Sequence, residues 1–245
     1  YGCSRFNNYL GPQHNWENDL APAFLHNDFV VVIHGVVGAG KSSLIKLLCG
    51  HQNDLQIGQK LPDSSNIRSV TDRANVYNCR SRTSPQSATI FVIDTPGFEE
   101  PNEAGQLCAL EGVDRALRFA REQRAPLRRI YFLMDWSDPK EPIPLNLENH
   151  LHILLARYGS LVASRIRFVI SKSDRLYRMG RPQVHIKQMV AFTGQCYKNV
   201  FQLAMVPKQM VFVSLNAEYG DCPTIRQLTT DFGWSVGGND ARTEL

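Results

Sequence analysis

The sequence predicts an α/β protein: a mainly parallel sheet flanked by helices on both faces. Three observations carry that reading. Short β-branched runs alternate with helical stretches along most of the 245 residues, as in chains built from strand–crossover–strand units. The first run, Phe29-Val30-Val31-Val32-Ile33, is apolar at every position and not at every second one, which suits a strand covered on both faces. That run leads directly into a glycine-rich turn and then a helical pattern.

The elements follow in order. Residues 1–28 are rich in Asn and Pro and read as an extension ahead of the first strand. Lys41 to Cys49 reads as a helix, with Leu44, Leu47 and Leu48 on one side and Gly50 as its stop. Residues 51–72 are polar and turn-rich. Residues 74–80 and 88–93 read as strands that could pair as a hairpin around Thr83-Ser84-Pro85. A helical stretch spans about 104–123. Leu127 to Met134 is the next strand, with a Pro-rich loop at 138–144. Residues 145–163 read as helical and 167–170 as a strand. Pro182 opens a helix that runs to about Ala204, because proline is well placed at a first helical position. Met210 to Val213 is the last strand, and 223–231 a short closing helix. No internal repeat and no linker divides the chain.

Composition narrows the function classes. With 43% hydrophobic and 20% charged residues the chain is an ordinary globular one, which excludes disordered and low-complexity proteins. A formal charge of +4 is too small to signal nucleic acid, and no nucleic-acid partner is expected. No apolar run approaches the roughly 18 residues of a membrane span. The six cysteines show no CxxC pair, which predicts reduced cytosolic thiols and a cytoplasmic location, with membrane association only through segments outside this chain.

The chemistry begins at Gly35-Val36-Val37-Gly38-Ala39-Gly40-Lys41-Ser42, which fits GxxxxGK[ST] between a strand and a helix. Such a loop turns successive backbone N–H groups inward at phosphate oxygens, and the helix behind it adds its positive end. Lys41 would reach the outer phosphates as a point charge, and Ser42 would offer a hydroxyl to Mg²⁺. Downstream, Ile90-Phe91-Val92-Ile93 ends in Asp94-Thr95-Pro96-Gly97. A carboxylate at the tip of a buried strand beside the phosphate loop is placed for a Mg²⁺ shell, and the Gly97 N–H for a γ-phosphate.

The third box is Ser171-Lys172-Ser173-Asp174, directly after the strand at 167–170. With it the chain resembles the P-loop GTPases of the TRAFAC class, whose base-reading box is N/TKxD. The resemblance implies a P-loop NTPase G domain over 29–217, with a C-terminal helix and tail at 218–245, and GTP/GDP with Mg²⁺ as its ligands. It implies that Asp174 accepts hydrogen bonds from the two donors on the guanine edge, which adenine does not present there. Lys172 would lie over the ring. Ser171 departs from Asn or Thr but keeps a hydroxyl. The switch threonine falls on Thr71 in Ser69-Val70-Thr71, with Thr83 and Ser64 as alternatives. Thr71 would ligate Mg²⁺ together with Ser42, beside Asp94. The last box falls on Ser214-Leu215-Asn216-Ala217, whose backbone would meet the guanine O6.

The loop GxxGxGKSS, ending at Ser43, the box SVT, the box DTPGF and Tyr158-Gly159 are similar to the AIG1/GIMAP and chloroplast-receptor Toc group, a septin-related branch. That branch forms nucleotide-dependent dimers across the nucleotide face, which implies a homodimer or homo-oligomer in the GTP state. Ras-like members carry a Gln after DxxG that orients the attacking water. Here Phe98 stands there, followed by Glu99 and Glu100. A phenyl ring cannot hold a water, so intrinsic hydrolysis should be slow and assisted in trans, unless Glu99 or Glu100 positions the water. Arg115, Arg118, Arg121 and Arg124 form either a solvated helix face or a source of a trans-acting arginine, with Arg68 and Arg73 as alternatives. Two other functions stay open: a non-hydrolysing GTP/GDP-binding assembly module, and an adenine-nucleotide kinase. His34 reads as a satisfied strand-end histidine, and His150 and His152, two apart on a helix, do not share a face.

Asp174→Asn should exchange guanine preference for xanthine, read by competition between GDP and XDP for the chain. An unchanged preference would remove Asp174 from the base site.

Overall fold

The computed structural model describes residues 29–36, 38–49, 75–79, 90–95, 114, 127–135, 147–160, 162–174, 182–213 and 228. Within them a six-stranded sheet runs in the order β2-β3-β1-β4-β5-β6. The strands are β1 (Phe29–Gly35), β2 (Asn75–Cys79), β3 (Ile90–Asp94), β4 (Leu127–Met134), β5 (Ile166–Ile170) and β6 (Met210–Phe212). The helices are α1 (Lys41–Cys49), α2 (Leu147–Tyr158), α3 (Val162–Arg165) and α4 (Pro182–Phe201).

Four neighbouring pairs are parallel, β3-β1, β1-β4, β4-β5 and β5-β6, and only the edge strand β2 runs against its neighbour β3. The predicted α/β class and the hairpin pairing are therefore both present. The hairpin turn around Thr83-Ser84-Pro85 lies outside the described residues, as do the extension at 1–28, the bulk of the helix expected at 104–123 and of the closing helix, and the tail.

Every residue of β1 is buried, which is why its apolar run shows no alternation. Side chains of successive strand residues point to opposite faces, and the core divides accordingly. On one face Val31, Ile33, Val92, Tyr131, Leu133 and Val169 pack with Leu44, Ile45 and Leu48 of α1. On the other, Val30, Val32, Ile93, Phe132, Phe168 and Ile170 pack with Leu151 and Leu154 of α2 and with Met189 and Tyr197 of α4. Each such side chain contributes about 1.5–3 kcal/mol by leaving water. The central strand thus carries weight for both layers.

The stretch at 145–163 is not one helix. It breaks after Tyr158, where Gly159 takes a φ of 74° and its N–H donates to the carbonyl of Leu155 at 2.9 Å. That single bond with a left-handed residue is an αL helix terminus. The short α3 then turns directly into β5. α4 ends the same way at Phe201, three residues before the expected end near Ala204, with Gln202 after it at a φ of 57° and a bond from the Gln202 N–H to Lys198 O.

Chain direction positions the site. From β1 the chain goes to one side, to β3 and the edge strand, then crosses to β4 on β1's other flank. Ligands of open α/β sheets bind at the carboxyl ends of strands where that reversal occurs. The carboxyl end of β1 is Gly35, at a φ of 143°, and a Cβ there would lie 2.2 Å from the carbonyl oxygen of Leu133. Only glycine lets β1 turn away at this depth.

Gly35→Ala should cost about 3 kcal/mol or more of stability, because backbone must move. Gly159→Ala has open space around it and should cost only the left-handed penalty, about 1–2 kcal/mol. Urea unfolding midpoints of the two variants test the difference, and equal losses would contradict it.

Candidate functional site

The loop after β1 is held by its own hydrogen bonds. Ala39 N–H donates to Val36 O at 3.3 Å, and Leu44 N–H donates to Gly40 O at 2.9 Å, the first helical bond of α1. Gly38 and Gly40 take φ of 78° and 83°, a left-handed conformation open to glycine. The first N–H groups of a helix have no intrahelical acceptor, so α1 presents donors and a positive end to the space before it. Gly38 is exposed, Ala39 is buried, and Ser42 and Ser43 are half-buried on the first turn of α1.

Lys41 is buried, and its ammonium folds back over the loop to donate to Gly35 O at 3.2 Å and Val36 O at 3.0 Å. Ser42 Oγ donates to Asp94 Oδ2 at 3.0 Å. The sheet register explains that meeting: Asp94 is the neighbour of Ile33 across the β1-β3 pair, so it emerges beside the start of the loop. A hydroxyl and a carboxylate oxygen at this spacing form a hard-oxygen donor pair. Adjacent ligands of an octahedral Mg²⁺ with bonds of about 2.0–2.1 Å lie about 2.9 Å apart, so the pair fits that ion.

The second half of the site is the turn after β5. Ser171, Ser173 and Asp174 are buried. Ser171 N–H donates to Met134 O at 3.0 Å, and Ser173 N–H to Val213 O at 3.2 Å, which clamps the turn between the ends of β4 and β6. Lys172 adopts a φ of 56°, a left-handed conformation that costs a non-glycine residue about 1–2 kcal/mol. Its ammonium reaches back to Gly38 O at 3.0 Å and also meets the carboxylate of Asp135. A single side chain thereby ties the turn after β5 to the phosphate loop after β1.

The structure therefore brings together Gly35, Gly38, Ala39, Gly40, Lys41, Ser42, Asp94, Lys172 and Asp174 at the carboxyl ends of β1, β3 and β5. Thr71, Gly97, Ser214 and Asn216 lie outside the described residues, as do Phe98, Glu99, Glu100 and the arginines considered above.

Two features escaped the sequence reading. Asp135 directly follows β4, much as Asp94 closes β3, and that place at the carboxyl end of a parallel strand was the available signal. A buried polar chain also runs beneath the loop. Thr95 Oγ1 donates to Ile33 O at 2.8 Å and lies 3.4 Å from His34 Nδ1, while His34 Nε2 shares a hydrogen bond with Tyr158 Oη at 3.3 Å. His34 is thus satisfied at the end of β1, as expected of a structural histidine. Burial, then the Lys41 charge, then His150 lower its pKa to about 3, and burial lowers that of His150 to about 4. His150 is buried and His152 exposed, so the two do occupy different faces.

Fold and site together define a P-loop GTPase G domain. The family model described as a 50S ribosome-binding GTPase matches residues 30–160, more than half of the chain, and the chain belongs to that GTPase family. A search of curated proteins finds no match. Among solved structures, Toc33 from Arabidopsis thaliana in complex with GDP and Mg²⁺ aligns with a TM-score of 0.52 at 16% identity, over 80% of this chain and 73% of that one. A structure described as showing that dimerization is important for the GTPase activity of the chloroplast translocon components atToc33 and psToc159 aligns with a TM-score of 0.58 at 14% identity, over 90% and 85%. Era from Aquifex aeolicus, bound to GDP and AlF4⁻, gives 0.51 at 18% identity, over 85% and 57%. At these identities the likeness is one of fold. No helix of the described residues is long and apolar enough to cross a membrane.

The depressed histidines give a pH dependence with a definite sign. The unfolded chain takes up a proton on each as pH falls through about 6.5, while the folded chain resists down to about 3 and 4. Their contribution is complete above that range and is lost on acidification. Between pH 7 and 5 each should remove about 2 kcal/mol of stability. His34→Gln should reduce the acid sensitivity seen by urea unfolding by about half of this two-histidine share. An unchanged pH slope would contradict the assignment.

Proposed function

We propose that the protein binds GTP and GDP with Mg²⁺, hydrolyses GTP slowly, and acts as a nucleotide-dependent switch that dimerises through its nucleotide face. The observation that carries this reading is the Lys172 bridge. It joins a phosphate loop closed by Lys41 to a turn bearing the buried Asp174, so that triphosphate and base contacts share one cleft.

The roles follow from the chemistry of the groups. The loop N–H groups from Gly38 to Ser43 and the α1 terminus hold the phosphates. Lys41 already has its ammonium drawn into the loop by two carbonyls, so little ordering remains when phosphate oxygens replace them. Ser42 and Asp94 would hold Mg²⁺, with Thr71 as a further ligand. The ion, when bound, offsets negative charge on the phosphates. The Gly97 N–H would meet the γ-phosphate. Lys172 covers the base, Asp174 reads its two donors, and the Ser214 to Asn216 backbone meets O6.

Phe98 leaves the position after DxxG without a group that can orient water. Slow turnover by the lone chain follows, and a second copy facing the nucleotide is the natural source of the missing group. The fold shared with Toc33, for which dimerization is described as important for GTPase activity, supports that geometry. Phe98 equally favours a second reading, an assembly module that holds its nucleotide without turnover.

Lys41→Ala should weaken GTP and GDP binding by about a hundredfold or more, since it removes the charge from a buried ion contact. Fluorescent-nucleotide titration checks this, and retained affinity counts against the phosphate site. Single-turnover GTP hydrolysis should accelerate as protein concentration rises. A rate fixed at the solution background at every concentration selects the assembly module instead.

A further inference from the structure

We infer that Asp135, at the end of β4, is a specificity-positioning residue that holds Lys172 in its base-covering pose and keeps the Lys172 ammonium away from Asp174. This rests on the reading of the turn after β5 as the base site.

Lys172 and Asp174 are two residues apart in one tight turn. A flexible ammonium beside a carboxylate is drawn into an ion pair. A carboxylate engaged in that way has fewer lone pairs for two base N–H donors. The turn therefore needs a device that places the lysine charge elsewhere, and the fold contains one. Lys172 starts from a left-handed backbone conformation, crosses to Gly38 O at 3.0 Å, and pairs with the Asp135 carboxylate. These are two anchors from two different elements, the phosphate loop and the end of β4.

The position of Asp135 is fixed by the sheet. Met134 is the neighbour of Ile170 in the β4-β5 pair, and Ser171 N–H binds Met134 O. Backbone pairing thus brings Asp135, the residue after Met134, level with the start of the turn at Ser171, and the Lys172 side chain completes the meeting. Both side chains are about a quarter exposed, 27% for Lys172 and 22% for Asp135, so the pair is partly shielded from water. With its far end tied at two points, the methylene stem of Lys172 spans the cleft as an apolar shelf, where a purine ring can lie. Asp135 is held to act on the base through its pairing with Lys172.

The test is a double-mutant cycle on the full chain, with GDP, IDP and XDP as probes. IDP lacks the exocyclic amine and reports the second donor to Asp174. Asp135→Asn should weaken GDP binding by about tenfold through faster release. It should also lower the preference for GDP over IDP. Asp135→Glu should recover part of both. Lys172→Met keeps the stem and removes the ammonium, so adding Asp135→Asn to it should change neither affinity nor preference by more than about twofold.

Additive effects of Asp135→Asn and Lys172→Met would overturn the inference, as would a GDP-to-IDP preference that Asp135→Asn leaves intact. Thermal unfolding of each variant separates binding losses from folding losses, and a loss in Asp135→Asn that tracks destabilisation alone also overturns it. Failure of the underlying base reading looks different. In that case Asp174→Asn does not move preference from GDP to XDP, and the inference falls with it. If that exchange occurs and the cycle is additive, the base site stands and the role of Asp135 does not.

Discussion

The two hydrogen bonds from the Lys41 ammonium to the carbonyls of Gly35 and Val36 depend on where β1 ends, and most of the structure serves to set that point. β1 is buried along its whole length between two helical layers, so its carboxyl end has little freedom to shift. Gly35 then passes against the backbone of Leu133 at a distance no side chain would allow. The loop is launched from a rigid platform, and two carbonyls hold the ammonium inside it.

The same platform carries the polar chain Thr95, His34 and Tyr158. Thr95 follows Asp94 directly, and Tyr158 is the last residue of α2. The end of α2 is thereby tied by hydrogen bonds to β1 and β3, which the sheet already holds in register. Burial keeps His34 neutral and pushes the Tyr158 phenol up, so this part of the core holds no extra charge beneath the buried ammonium of Lys41. Arg157, one residue earlier, donates through its guanidinium Nε to Asp114 at 3.0 Å. The end of α2 is thus tied both to the phosphate strand and to the segment after the DTPG box.

Much of this was legible in the sequence, for a physical reason. An apolar run without alternation, as in Phe29 to Ile33, can mean only a strand or helix buried all round, and the Gly-rich turn decided for a strand. Strand-end boxes such as Asp94 and Ser171 to Asp174 were readable because parallel strands deliver their carboxyl ends to one side of the sheet. What was not readable were contacts set by register. That Ser42 meets Asp94 depends on Ile33 and Asp94 being neighbours. That Asp135 meets Lys172 depends on Met134 and Ile170. The break at Gly159 was missed because the apolar period continues through it into α3, while the chain must turn there to enter β5.

In the proposed function Lys41, Asp94, Lys172 and Asp174 serve one guanine-nucleotide site. Native mass measurement of the full chain, mixed in turn with GDP, a non-hydrolysable GTP analogue and ATP in the presence of Mg²⁺, tests it most directly. One guanine nucleotide per chain, a dimer with the GTP analogue, and no stable ATP adduct are expected. ATP retained as fully as GDP, or no nucleotide retained at all, would contradict it.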